Sequence, residues 1–268
     1  MLFKREKYLK KIRPFYDADD LIKVITGVRR CGKSSLMQTI ADELISNGVD
    51  PDSIIYIDLD KRENRKIKTE DQLEQLIDRN KKEVGITYLF IDEIQNVSGF
   101  EDVVNGFRTD GNFSIFITGS NSYLLSGELV TKLTGRYLEF ELFTLSFDEY
   151  IQFKRFFGKP VDPNMAVEFN RYILEGGFPR TIIIDDEAAR RTYVTGVISE
   201  IFEKDIKRWV KIKDIASFES VRNYIMNNFG ATTSIKSLTD ALVKNGIKVT
   251  RPTVTKYVKT LVDAKILP

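Results

Sequence analysis

The stretch VITGVRRCGKSSLMQTI, Val24 to Ile40, constrains this chain more than any other part of it. Gly27 and Gly32 bracket four residues, and Lys33 and Ser34 follow directly, which completes the spacing G-x-x-x-x-G-K-[ST]. Glycines at those places let a backbone turn tightly and aim several N–H groups into one concavity, a shape that suits phosphate oxygens. The apolar run before the first glycine reads as a buried strand. The amphipathic run after Lys33, with Leu36, Met37, Ile40, Leu44 and Ile45 on one side, reads as a helix to about Asn47. Its N-terminus adds partial positive charge at the same place. Lys33 is expected to reach the β- and γ-phosphates of a nucleotide, and the Ser34 hydroxyl to ligate Mg²⁺. Arg29, Arg30, Cys31 and Ser35 complete the expected lining of the loop. Cys31 reads as a small residue tolerated at a free position of the loop; the alternative is a thiol whose pKa Lys33 and the helix N-terminus lower, and a thiol reagent there should block ATP.

Four more strands follow: Ser53 to Asp60, Ile86 to Ile94, Phe113 to Ser120 and Tyr137 to Phe143. Two of them are almost continuously apolar, as strands covered on both faces should be. Helical patterns lie between them, at 35–47, 69–82, 99–109 and 124–133. Strand and helix in alternation predict an α/β fold, a parallel P-loop NTPase sheet.

The strand Tyr88-Leu89-Phe90-Ile91 leads straight into Asp92-Glu93. Acidic residues at the carboxyl end of a buried parallel strand stand where such sheets bind ligands. Asp92 is placed to hold Mg²⁺ through water, and Glu93 to orient and deprotonate an attacking water. The chain contains no histidine. Hydrolysis must therefore run on carboxylates, lysine and a hard cation. The next strand ends in TGSNS, and Thr118, Ser120 and Asn121 are candidates for a polar residue near the γ-phosphate, with Asn121 preferred. Arg136, just before the fifth strand, is a candidate for a charge presented to a neighbouring subunit's nucleotide; a surface ion pair is its plainer alternative.

The order of these motifs resembles AAA-type ATPases. GVRRCGKSSL, LFIDEIQNV, ITGSNS, LTGRYLEFELFTLSFDEY, GGFP and EKDIKRWVKIKD resemble the prokaryotic AAA-family ATP-binding proteins. The resemblance covers residues 1 to about 265. It implies ATP and Mg²⁺ as ligands, and a helical lid with Gly176, Gly177 and Pro179 near the nucleotide and Arg180 as a second sensor. It also implies a winged-helix module after the ATPase. Many members continue into a nuclease-like domain that these 268 residues do not contain.

The expected organisation is an ATPase core at 1–145, a helical lid at 146–212 and a winged-helix-like module at 213–268, stopping where a wing hairpin would begin. Ser146 with Glu149 reads as a capping box. Val194, Val197, Ile198, Ile201, Phe202 and Trp209 fall on one helical face, a core stripe. Net charge is only +2, yet from Lys207 onward 12 Lys/Arg face 4 Asp/Glu, a balance of +8. That suggests a basic module meeting something acidic: either nucleic acid, with Arg251 and Thr253 near the third helix's start as base readers, or no such partner, the module being a protein-packing element with a solvated basic surface. A single cysteine and the lack of a signal peptide or long apolar run point to a cytoplasmic chain, away from membranes. The expected activity is ATP hydrolysis driving conformational switching in a homo-oligomer. The alternatives are an ATP-gated switch with negligible turnover and a small-molecule kinase, which the Asp-Glu pair disfavours. No Asn-Lys-x-Asp of a GTPase occurs.

Overall fold

The computed structural model describes residues 2–82, 84–119, 133–207, 212 and 214–267. The chain divides into two compact units, residues 1–195 and 196–268.

In the first unit, α1 (Glu6–Ile12) precedes the sheet. Then come β1 (Ile22–Thr26), α2 (Lys33–Ser46), β2 (Ile54–Asp58), α3 (Glu70–Asn80), β3 (Thr87–Asp92), α4 (Phe100–Asp110), β4 (Phe113–Thr118) and β5 (Tyr137–Glu141). All pairings are parallel, in the order β2-β3-β4-β1-β5. All five expected strands are present. The helix expected at 124–133 lies outside the described residues.

Strand alternation sorts the core into two layers. Ile57, Leu89, Ile91, Ile115 and Ile117 pack with Leu73 and Ile77 of α3 and Val103, Val104 and Phe107 of α4. On the opposite face, Ile25, Phe90 and Phe116 meet Leu36, Met37 and Ile40 of α2 and Tyr8, Leu9 and Ile12 of α1. Phe90 and Phe116 stack at 4.7 Å, which ties the two central strands together. β4 therefore stands between the strand that feeds the glycine loop and the strand that ends in Asp92-Glu93.

After β5 the unit is helical: α5 (Phe147–Phe156), α6 (Met165–Glu175), α7 (Pro179–Ile183) and the start of α8 (Glu187–Glu200). The Ser146/Glu149 capping box is formed as expected. Leu145, Tyr150, Ile151, Phe153 and Ile182 make a separate small core. Gly177 closes this segment on itself: a Cβ there would lie 2.5 Å from the Leu145 carbonyl oxygen. Its own carbonyl accepts from Leu145 N–H at 2.7 Å.

In the second unit, α8 runs on into a π-helical turn, Ile201–Ile206. Val197 and Ile201 are buried as the stripe predicts, but Phe202 is only half-buried. The wider turn rotates the register and buries Asp205 and Ile206 instead. Three helices follow: α9 (Ile215–Asn227), α10 (Ile235–Lys244) and α11 (Arg251–Asp263). They pack around Phe218, Val221, Leu238, Leu242, Val254, Tyr257 and Leu261. Among the described residues, no helix is long and apolar enough to cross a membrane.

Candidate nucleotide site at the carboxyl edge of the sheet

β1 is buried along its whole length and ends in a loop that only glycine permits. Gly27 has φ +146°, and a Cβ on it would fall 2.1 Å from the Leu142 carbonyl oxygen, just past β5. Leu142 N–H donates to the Thr26 carbonyl at 2.8 Å, so the loop starts pressed against the end of a neighbouring strand. Arg30 (φ +69°) and Gly32 (φ +109°) are both left-handed, and Gly32 caps α2. Lys33 opens the helix. It is buried, and its ammonium donates to the carbonyls of Gly27 at 2.9 Å and Val28 at 3.4 Å.

Across from it, Asp92 is buried at the end of β3. The Ser34 hydroxyl and the Thr118 hydroxyl both hydrogen-bond its carboxylate. Thr118 also accepts the Glu93 backbone N–H at 3.0 Å, so one β4 side chain orders both acidic residues. Burial pushes the Asp92 pKa up against the lowering effect of Ser34 and Thr118. Glu93 holds φ +57° and so turns away from the strand direction. Burial also raises its pKa, opposed by Lys33 and Arg29, and Gln95 donates to its Oε2. Asp58 stands in register beside Asp92 on β2 and adds a like charge.

Lys33, Ser34, Asp92, Glu93 and Thr118 thus meet at one edge of the sheet. Of the three polar candidates at the end of β4 and beyond, Thr118 touches the acidic pair; Ser120 and Asn121 lie outside the described residues. Gly27, Arg29, Arg30, Cys31, Gly32 and Ser35 lie in or beside the loop. A lowered pKa, the alternative reading of the Cys31 thiol, is reversed. It is fully buried among Tyr8, Leu9, Ile25 and Leu36, and burial raises its pKa more than Lys33 and Arg5 lower it. The thiol is a core group there.

Arg136 stands elsewhere. Its carbonyl accepts from Ile22 N–H at 2.9 Å, at the amino end of β1. Five strand residues separate that end from Gly27, about 17 Å at the usual rise. Gly176, Gly177 and Pro179 border the segment after β5, and Arg180 is exposed.

Two residues were not picked out in advance. Asp58 had a signal, since two strands end in the same Ile-Asp pair. Arg5 had none; it is described below.

The oxygen donors Ser34 and Asp92, already hydrogen-bonded to each other, suit a hard divalent cation shared with phosphate oxygens. Glycine loop, helix N-terminus, lysine and acidic strand end together define a P-loop nucleotide-binding α/β protein.

Comparison with known proteins narrows the class. Residues 19–151 match the model of an AAA domain, and residues 167–268 match a domain of unknown function. An uncharacterized protein of Haemophilus influenzae is 34% identical over 98% of this chain and 65% of its own length. One of Methanocaldococcus jannaschii is 32% identical over 92% of this chain and 55% of its own. The chain thus spans about 55–65% of these relatives' length. Among solved structures, the Aeropyrum pernix ORC1 protein in complex with DNA aligns over 99% of this chain and 85% of its own at 15% identity, with a TM-score of 0.48. AMPPCP-bound DnaA from Aquifex aeolicus aligns over 100% and 91% at 14% identity, with a TM-score of 0.46. Residues 19–151 are thus an AAA domain.

Proposed function

We propose that this chain binds ATP with Mg²⁺ and hydrolyses it, and that hydrolysis switches the arrangement of its helical segments. The observation that carries the reading is the bonded set Ser34–Asp92–Thr118–Glu93 beside Lys33. In this reading Lys33 leaves the Gly27 and Val28 carbonyls for the nucleotide's phosphates. Ser34 and Asp92 hold Mg²⁺, which supplies charge neutralisation at the transferred phosphoryl group. Glu93 accepts the proton of the attacking water. It must be ionised to act.

Glu93→Gln separates hydrolysis from an ATP-gated switch. The variant should keep ATP affinity and lose steady-state turnover, because Glu93 acts only on the attacking water. ATP at a hundredfold over its Kd should still stabilise it by about 2.7 kcal/mol. Equal, negligible turnover in parent and variant would favour the switch.

The far-edge position of Arg136 supports a role on a second copy's nucleotide in a head-to-tail assembly. Mixing Arg136→Ala with Lys33→Ala should then restore part of the lost activity. No rescue at any ratio leaves Arg136 a structural residue. Lys248, Arg251, Lys256 and Lys259 are exposed on and beside α11, which supports contact with nucleic-acid phosphates. Duplex DNA binding by the whole chain should weaken steeply with salt; no binding at low salt removes this partner.

A further inference from the structure

Arg5 stands just before α1, outside the stretch that matches the AAA domain, yet it reaches the phosphate loop. It is 5% exposed. Its Nε and Nη2 grip Glu149 as a fork, at 2.8 and 2.7 Å. Nη1 donates to the Phe143 carbonyl at 2.7 Å and to the Cys31 carbonyl at 3.3 Å, and Nη2 to the Thr144 carbonyl at 3.3 Å. One planar cation thereby joins the glycine loop, the segment leaving β5 and the first turn of α5. A lysine, a point charge with three donors, cannot span that set.

Each partner is itself fixed. Glu149 also accepts from the Ser146 N–H at 3.0 Å, closing the α5 cap. Tyr8, one turn along from Arg5, accepts the Phe143 N–H at 3.2 Å. α1 and the turn after it are bolted to α2, because Lys4, Arg13 and Tyr16 all hydrogen-bond Glu43. Arg13 first among them holds the Glu43 pKa down to about 2, against the cost of burial. The guanidinium is therefore set rigidly against the loop.

The Cys31 carbonyl and the Gly32 N–H belong to one trans peptide, so they point in opposite directions. Capturing the carbonyl from behind orients that N–H. Gly32, at φ +109° and with nothing within 4 Å of where a Cβ would stand, has no side-chain contact to do so.

We propose that Arg5 is a positioning residue for nucleotide binding: it presets the Cys31–Gly32 peptide and, through Glu149, couples the phosphate loop to α5. This rests on the nucleotide site proposed above. The loop is then organised before ligand arrives, and movement of α5 is felt at the loop.

Equilibrium titration of the full chain with a fluorescent, non-hydrolysable ATP analogue tests it, with melting of the ligand-free protein as the second readout. Arg5→Lys should weaken binding by about tenfold, the worth of one charge-assisted hydrogen bond, at temperatures where the variant is folded. Glu149→Gln should weaken it by a smaller factor, and the double variant by less than the product of the two. A merely structural pair would lower the melting temperature and leave the affinity of the folded protein unchanged. Parent-like affinity in both folded variants overturns the inference. If Arg5→Lys does not fold, Glu149→Gln decides alone. Failure of the parent itself to bind sinks the site reading and this inference together. Equal binding by the parent and the two variants sinks the inference only.

Discussion

Lys23 stands near the amino end of β1 and Lys33 opens α2, beyond the loop at the carboxyl end of β1, and both are buried. Their surroundings differ in kind. Lys33 is held by two carbonyls of its own loop. Lys23 donates to the Ala18 carbonyl at 2.6 Å, the Leu21 carbonyl at 3.0 Å and Ser114 Oγ at 2.9 Å, and lies 4.6 Å from the centre of the Phe116 ring. All three of its donors are used, across the turn before β1 and β4 itself. Moving it would strip a donor from two carbonyls and from Ser114, whose hydroxyl in turn donates to the Tyr16 carbonyl. Lys33 can exchange its loop carbonyls for phosphate oxygens. A buried lysine tied to distant segments is part of the fold; one tied to its own loop can turn to a ligand, as the proposed nucleotide site requires.

Burial pushes the Lys23 pKa down to about 7, while Asp20, Asp19 and Asp17 hold it partly up. Between that value and its unfolded pKa, the unfolded chain binds the proton and the folded chain does not, so stability rises with pH across that window. Tyr16 and Tyr88, whose pKa values burial raises, act in the opposite sense only above their ordinary range near 10.

The largest expected effect separates the two lysines. Lys33→Ala should weaken ATP binding by about a hundredfold or more, while Lys23→Met leaves the Kd near that of the parent. Comparable losses in a direct titration would break the contrast. Next comes Thr118→Val, which keeps the shape but strips Asp92 of a donor and the Glu93 N–H of an acceptor. It should cost about 1–3 kcal/mol in urea unfolding, with Thr118→Ser close to the parent. A Val variant as stable as the parent would mean that β4 does not hold the acidic pair. Per unit of pH, the smallest effect is the slope of stability against pH. Parent stability should climb from about pH 7 towards 10 by at most ~1.4 kcal/mol per unit from Lys23 alone. Lys23→Met should flatten that part of the curve; an unchanged slope assigns it to other groups.

Some of this molecule could be read from local patterns. Gly27 and Gly32 mark backbone turns by their spacing, and Asp92-Glu93 marks a strand end by the apolar run before it. The Ser146/Glu149 box announces its helix from two residues three apart. The contacts of Thr118 needed the strand order, because β4's place between β1 and β3 brings Thr118 against both acidic residues. That the Cys31 pKa is raised and not lowered could not be read from its neighbours in sequence, since α1 and β1 bury the thiol.

What the sequence by itself determined is therefore the set of elements and the chemistry of the loop: glycine spacing, hydrophobic period and capping residues act within a few positions of one another. What only the tertiary structure decided is which distant groups meet. Arg5 and Glu149 are 144 positions apart, and Arg5 and Cys31 are 26 apart. Lys23 finds Ser114 across 91. Arg136, close to β1 in space, lies at the wrong end of it for its own loop. No periodicity encodes such pairs. They arise because packing two layers of helix onto one parallel sheet leaves each buried charge a single place where its hydrogen bonds can be satisfied.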